Sequence, residues 1–177
     1  MADMTFNTTE GVTVARELLI AYLNTGTKDA PVWSPVGKRV EDSSIEMDWS
    51  KETKVDIFGE THITGKKATK TQTFDPWELD SGDAAQNKIW NLAIRENDVN
   101  ALLNQDMLIA HFYAGDKAAS FAERYESCSV LPTGLGGAGG SSIGMPIEVT
   151  YGGTRTLGTV AKTAEGVQFT PDGADAE

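Results

Sequence analysis

The stretch DMLIAHFYAG, residues 106–115, is an almost continuous apolar run of strand length. A strand with one solvated face alternates apolar and polar residues, whereas a strand buried on both faces is apolar throughout. The run therefore predicts a central strand that other parts of the chain cover on both sides.

Strand-like patterns recur before and after this run. Residues 45–49 (IEMDW) alternate apolar and acidic side chains, which predicts a strand with one buried face. Residues 16–24 favour a first strand, with a short helix as the alternative. The dipeptide Gly152-Gly153 indicates a two-residue hairpin turn. Further strands are predicted within residues 53–64, 120–131, 145–160 and 166–171.

A single amphipathic helix is predicted over residues 82–95. Ala85, Ile89 and Leu92 recur at helical spacing, and Asp83 is one of the residues that could cap the N-terminus. About eight strands and one helix predict a mainly β protein, a β-sandwich or β-barrel with the helix on its flank. The length of 177 residues favours one domain.

Charge and composition limit the classes of function. The net charge of −11 disfavours specific nucleic-acid binding, because duplex-binding proteins need a basic surface. Cys128 is the only cysteine, which excludes an internal disulfide and fits a reducing place of synthesis. The first residues lack the basic and apolar regions of a signal peptide, and no apolar run has membrane-spanning length. We therefore expect a soluble protein made in the cytoplasm.

The glycine-rich stretch LPTGLGGAGGSSIGMP, residues 131–146, contains a spacing known from nucleotide sites. Gly134, Gly136 and Gly139 match G-x-G-x-x-G. A dinucleotide site also needs a helix directly after the glycines, whose N–H groups bind the pyrophosphate. A strand-like segment follows instead, and Thr159 stands where the fingerprint has an acidic residue. The stretch therefore predicts a flexible loop and no cofactor.

The residue types of metal and catalytic sites do not cluster in the sequence. His62, His111 and Cys128 are far apart, which disfavours a zinc site. His111 lies in the apolar run and is predicted to be a hydrogen-bonded core or interface histidine. No nucleophile motif is present.

Three further groups of side chains each leave two interpretations. Alternation over residues 42–48 places Asp42, Ser44, Glu46 and Asp48 on one strand face. This face is either a hard-cation site or a solvated acidic face, and we favour the second interpretation. The lysines at 66, 67 and 70 form a phosphate contact or, more simply, an exposed loop or partners of acidic groups. The four tryptophans are not adjacent, which favours core or interface packing over a sugar platform.

The order of elements and several short phrases resemble a known family. These are VWSPVGKRVEDSSIEMDWSKE (32–52), VDIFGETHITGKK (55–67) and FDPWELDSGD (74–83) before the helix. Over residues 16–170 the chain resembles the tail tube (major tail) proteins of long non-contractile-tailed bacteriophages, the siphophage type. It is also similar to the tube subunits of phage-tail-like bacteriocins, and the sequence does not separate the two.

The resemblance implies a structural virion protein, not an enzyme, with no cofactor or metal. It implies two packed antiparallel sheets with a flanking helix, forming one tail-tube domain over residues 16–170. An N-terminal arm (1–15) and a flexible acidic tail (171–177) complete the chain. Six copies form a ring, and rings stack into a tube in the virion tail. Partners are tape measure, tail terminator and distal tail proteins, and no membrane is involved.

The resemblance also suggests roles for individual residues. DNA would pass through the tube without specific binding, and we expect Glu46, Asp48 and the weaker candidate Glu148 to face the lumen. Residues 59–78 are expected to form a long loop or arm that reaches a neighbouring subunit and orders only in the tube. Its candidate contact residues are Lys66, Lys67, Lys70, Phe74 and Trp77.

The loop 132–146 and the two termini are expected to mediate contacts between subunits or rings. Gly134, Gly136 and Gly139 are the candidate contact residues of the loop, and the N-terminal arm and acidic tail are expected to order between rings. Two other classes of function remain open. One is a carbohydrate- or protein-binding β-sandwich of a surface appendage, and the other is an enzyme with a dispersed site.

Overall fold

The computed structural model describes residues 3–173 and is mainly β. Within these residues, eleven strands form two antiparallel sheets, a large one of nine strands and a small one of two. The strands are β1 (Leu19–Asn24), β2 (Trp33–Pro35), β3 (Ile45–Asp48), β4 (Glu52–Val55), β5 (Thr61–Thr64), β6 (Thr69–Phe74), β7 (Gln105–Gly115), β8 (Ser120–Pro132), β9 (Ile147–Tyr151), β10 (Arg155–Thr163) and β11 (Gly166–Pro171).

The large sheet divides into two halves at β8. Its strand order is β2-β1-β7-β8-β9-β6-β3, and β10 and β11 branch from β8. The first half of β8 pairs with β10 from Tyr125 to Ser120, and its last residues pair with β9 from Ser129 to Pro132. The long strand β8 thus belongs to two groups of strands.

The central strand β7 is buried on both faces, as residues 106–115 predict. Met107 and Ile109 belong to one hydrophobic cluster with residues of β1, β6, β8, β9 and the helix. Leu108, Ala110 and Phe112 belong to a second cluster with residues of β2, β8 and β10. Because each face of β7 has its own apolar cover, no polar alternation is required along the strand.

The helical segment lies at residues 84–95, within the predicted range. Helix α1 (Ala84–Trp90) begins after Asp83, whose side chain accepts a hydrogen bond from the Gln86 N–H at 3.1 Å. Ala85 and Ile89 are fully buried against the first hydrophobic cluster. The segment continues as a π-helix (Asn91–Arg95) and is followed by the four-residue helix α2 (Val99–Leu102).

The prediction of a long loop or arm over residues 59–78 is wrong for residues 69–74, whereas residues 59–64 lie in an exposed hairpin. Residues 69–74 form β6, which pairs with β3 and β9 inside the large sheet. The exposed part is the β4–β5 hairpin, which forms the small sheet. Its two strands pair with each other and with no strand of the large sheet. The threonines of 69–73 are the reason for the error, because they are polar but also favour strands.

The chain termini differ in part from the expected free arms. Residues 5–7 hydrogen-bond along the end of β7, with Asn7 N–H to the Tyr113 carbonyl at 2.9 Å. This part of the N-terminal arm is therefore ordered within one chain. The predicted acidic tail begins at Pro171, the last residue of β11, and residues 174–177 lie outside the described part.

Candidate functional site

The register of β3, β6 and β9 brings the three predicted lumen residues onto one sheet face. Glu46 pairs with Thr71, Asp48 with Thr69, and Glu148 with Thr73. Directly paired residues share a face of an antiparallel sheet, and alternate residues along a strand return to it. We call this the acidic face, and its members are Glu46, Asp48, Thr69, Thr71, Thr73, Glu148 and Thr150.

The acidic face combines carboxylates with hydroxyl groups and contains no lysine or arginine. Glu46, Asp48 and Glu148 are all exposed. The neighbouring Lys70 is on the opposite face, because it pairs with Met47 and Tyr151. The face can therefore repel polyanions without offering them a cationic contact.

A second exposed surface is apolar and lies on the β4–β5 hairpin and the end of β3. In the hairpin, Ile57 is 94% and Phe58 is 84% exposed. Val55, Ile63, Met47 and Trp49 are also largely exposed. The prediction that β3 has a buried apolar face is wrong for Met47 and Trp49, because nothing in the described chain covers the end of this edge strand. We call these six residues the apolar arm surface.

The residues predicted to contact a neighbour through the 59–78 segment separate into two groups. Lys66 and Lys67 are exposed beside the hairpin. Phe74 and Trp77 are core residues, 3% and 0% exposed, and Lys70 is half-buried. The assignment of Lys70, Phe74 and Trp77 as contact residues is therefore wrong, because β6 and the segment after it pack inside the fold.

Lys70 instead belongs to a buried ionic cluster around Glu123. The Glu123 carboxylate accepts hydrogen bonds from Lys70 Nζ at 2.7 Å, Tyr125 Oη at 2.6 Å and Arg155 Nε at 3.2 Å. His111 Nε2 lies 3.2 Å from its other oxygen. The cluster links β6, β7, β8 and β10, so it ties both halves of the large sheet together.

The environment of Glu123 keeps its carboxyl group ionised. Burial by itself would raise the pKa, but the hydrogen bonds from His111, Lys70 and Tyr125 outweigh it and hold the pKa well below the ordinary value. His111 is thus a hydrogen-bonded histidine of the fold, as predicted. The sequence signal for the cluster was a charged residue, Glu123, between Phe121 and Tyr125 on one strand face.

A second buried carboxylate, Asp106, stabilises the other end of β7. Its oxygens accept hydrogen bonds from Arg124 Nε at 3.0 Å and Nη2 at 2.7 Å, a bidentate pair. Asn24 Nδ2 donates a third bond at 2.9 Å. All these groups are satisfied by neighbouring strands, which indicates a structural role.

Asp56, Glu60 and His62 form the one group of three possible metal ligands that converges within residues 3–173, with donor atoms within 4.8 Å of one another. Asp56 already accepts bonds from the Phe58 and Glu60 N–H groups and lies 2.8 Å from His62 Nε2. Hydrogen bonds from His62 and the Glu60 N–H lower the pKa of Asp56. These contacts close the hairpin turn. The carboxylates of residues 42–48 do not converge in this way.

The glycine-rich segment forms a small hairpin that rests on residues 77–79. Gly136 and Gly144 exchange backbone hydrogen bonds of 3.0 and 2.8 Å, and Met145 N–H donates to the Trp77 carbonyl. Gly134 and Gly139 are exposed. The chain then enters β9 and not a helix, so the segment lacks the N-terminal donors of a dinucleotide site.

Cys128 is fully buried, and burial raises the pKa of its thiol to about 12. It is therefore an inert core residue. Among residues 3–173, no helix has the length and apolar character needed to cross a membrane.

No family model and no curated protein matches the chain. Solved cryo-EM structures include similar chains. One is from the sheath–tube complex of the extracellular contractile injection system PVC in its extended state, with 9% identity, a TM-score of 0.46, and coverage of 85% of this chain and 95% of that chain.

Two other similar chains come from related particles. One is from the anti-feeding prophage cap that terminates the tube, with 13% identity, a TM-score of 0.46 and coverage of 86% and 95%. The other is from the PVC sheath/tube terminator, with 11% identity, a TM-score of 0.47 and coverage of 84% and 99%. Because every TM-score is below 0.5, these likenesses assign no function by themselves.

Proposed function

We propose that this protein is a self-assembling tube subunit, in which six copies form a ring and rings stack into a tail tube. The observation that supports this most directly is the apolar arm surface. The hairpin that bears most of it belongs to a sheet of only two strands. Such a hairpin is marginally stable alone, and exposed apolar patches mark interaction sites.

Repeated use of this surface by identical copies leads to a ring or a filament. When the arm surface of one copy contacts a different patch of the next copy, the contact is heterologous and passes from copy to copy. The large sheet also has unpaired edge strands, with β3 at one end of its order, β2 at the other and β11 at the end of the branch. Closing a ring pairs such edges with neighbours and removes a template for aggregation.

In the proposed tube the acidic face lines the lumen through which DNA passes. DNA carries one charge per about 1.7 Å of axis, so adhesion to a basic wall would be strong. Screening extends over about 10 Å at 0.1 M salt, so a wall at that distance still acts on the phosphates. A face of carboxylates and threonines would let DNA slide without binding it.

The other classes of function receive less support. A sugar-binding module would present tryptophans in the monomer, but Trp33 and Trp77 are buried, Trp90 is half-buried and only Trp49 is exposed. An enzyme would need a reactive group in a cleft. The buried carboxylate of Glu123 has both oxygens occupied by side chains of β6, β7 and β8. We therefore propose a role without catalysis.

Phage tail and tail-like bacteriocin use the same kind of subunit, and the proposal covers both. In either, tape measure, terminator and distal tail proteins would bind the tube. Neighbouring capsid and terminase genes would identify a phage. Neighbouring sheath or lysis genes without capsid and terminase genes would identify a bacteriocin.

Negative-stain electron microscopy and light scattering of the purified protein test the proposal. We expect hollow tubes or rings, and a scattering mass that rises with protein concentration. A folded monomer whose mass stays constant up to high concentration would contradict it.

A further inference from the structure

An open groove lies on the side of the fold away from the helix. It has a volume of about 640 Å³ and is lined by the N-terminal segment and by the ends of β7, β8 and β10. Its apolar wall consists of Leu18, Phe112 and Val160, which belong to the second hydrophobic cluster. The volume lies in the range of roughly 300–1,000 Å³ that suits a well-buried ligand group.

The rim of this groove is basic in a protein that is otherwise strongly acidic. Lys117 and Lys162 line it and are both exposed. Lys162 Nζ lies 4.5 Å from the centre of the Phe112 ring. Neither lysine forms an ion pair with any of the described residues. The groove therefore suits an occupant with an apolar end and an acidic flank.

The tip of the β4–β5 hairpin has this chemistry. Ile57 and Phe58 are the most exposed large apolar side chains among the described residues. Glu60 follows after one glycine and is exposed. The Asp56 carboxylate fixes the turn by accepting the Phe58 and Glu60 N–H groups, so the two apolar side chains are held at the tip.

We propose that the groove between the N-terminal segment and β10 receives the hairpin tip of a second copy of this chain. Phe58 and Ile57 pack against the exposed Val12 and the Leu18 side of the groove, above the buried Phe112 and Val160, and Glu60 pairs with the rim lysines. This inference rests on the proposed tube assembly and names the surface that the arm contacts. The N-terminal segment is hydrogen-bonded along β7 in the single chain, so one wall of the groove is already formed before assembly.

Disulfide trapping between two different single-cysteine variants tests the contact. Thr61→Cys and Ala118→Cys, beside the tip and at the groove rim, are mixed in equal amounts, assembled and oxidised. We expect a cross-linked dimer on a non-reducing gel. The buried Cys128 does not compete, because its thiol is inaccessible.

Thr61→Cys mixed with Ala164→Cys is the matched control. Ala164 is also an exposed alanine, but it lies in the β10–β11 turn outside the groove. A cross-link with residue 118 and none with residue 164 supports the proposal. Tubes that form normally without the 61–118 cross-link overturn it and leave the tube function intact. A wild-type chain that never assembles overturns both.

Charge reversal gives an independent measurement. Lys162→Glu is expected to raise the protein concentration needed for assembly about tenfold, because Glu60 then meets a like charge. Adding Glu60→Lys is expected to recover part of this loss. Melting curves of the monomers verify that both variants fold. If the double variant lost as much assembly as the sum of the losses of the two single variants, Glu60 and Lys162 would not be in direct contact.

Discussion

Two buried carboxylates, Glu123 and Asp106, hold the central strands together through charged hydrogen bonds. Glu123 reaches Lys70 on β6 and Arg155 on β10, strands that do not pair with each other. A buried ion pair is strongly destabilised when one partner is removed, because the other charge stays buried and unpaired. These residues therefore support stability and the register of β8 more than any chemistry.

Glu123→Gln is expected to reduce the free energy of unfolding at pH 7 by about 3–5 kcal/mol. The folded-state pKa of Glu123 is depressed, so its contribution is present above the ordinary glutamate pKa of about 4.3 and is lost as pH falls below it. The difference between variant and wild type should therefore shrink in acid. Urea unfolding at pH 7 and at successively lower pH measures it.

Glu165→Gln is the control for this measurement, since Glu165 is exposed in the β10–β11 turn. It should change stability little at either pH. A Glu123→Gln variant that unfolds at the same urea concentration as wild type would show that the cluster contributes nothing.

Gly158 is a position where the fold tolerates no side chain. A Cβ there would overlap the Thr170 carbonyl oxygen and lie 2.7 Å from the Phe169 ring, both on β11. Gly158→Ala should therefore cost about 1–3 kcal/mol through overpacking. Gly139→Ala is the matched control, because a Cβ at Gly139 meets nothing within 4 Å. Equal melting temperatures of the two variants would contradict the close approach of β10 and β11.

The β4–β5 hairpin is the element whose role differs most between the isolated chain and the proposed tube. Its residues contribute to neither hydrophobic cluster. Its base is closed by the bond from Lys66 N–H to the Trp49 carbonyl at 2.9 Å. The hairpin can therefore be removed without opening the core.

Replacing residues 49–68 by an Asn-Gly turn joins β3 directly to β6, because Asp48 and Thr69 are already paired. The shortened monomer should keep a cooperative melting transition near that of wild type. It should form no tubes, because it lacks most of the apolar arm surface. Circular dichroism and electron microscopy measure the two properties separately. Tubes formed by the shortened chain would contradict the role of the arm.

At the level of the whole molecule, the distribution of charge fits a conduit. The acidic face has no lysine or arginine, whereas the groove beside the second hydrophobic cluster has two lysines on its rim. In the proposed assembly, surfaces that meet another copy are complementary, and the surface that meets DNA repels it.

The triple variant Glu46→Lys, Asp48→Lys, Glu148→Lys should turn the proposed lumen basic. Its tubes are expected to retain short duplex DNA at low salt, to protect it from nuclease, and to release it as salt rises. Wild-type tubes should retain none. Gel shifts with and without nuclease at several salt concentrations measure this.

The matched control reverses three exposed glutamates elsewhere, Glu41, Glu96 and Glu165, for the same change in net charge. DNA bound by these tubes should remain open to nuclease. Equal nuclease sensitivity in both variants would place the acidic face on the outside and contradict the lumen assignment.

Local sequence patterns were sufficient where residues close together in the chain decide the secondary structure and burial of a segment. The apolar run 106–115 predicted β7, helical spacing predicted the 84–95 segment, and alternation placed Glu148 between the buried Ile147 and Val149. The same patterns failed for Met47 and for residues 69–74. There the outcome depends on which distant strand pairs alongside.

The sequence by itself therefore determined that the chain is β-rich, strongly acidic and has one flanking helix. Periodicity, charge and capping are local properties, so they can be taken from the order of residues. Packing alone determined that Lys70 meets Glu123, that the three acidic residues share one face, and that Phe112 and Val160 line a groove with lysines on its rim. Each of these contacts joins residues far apart in the chain, and strand register, which no local pattern encodes, brings them together.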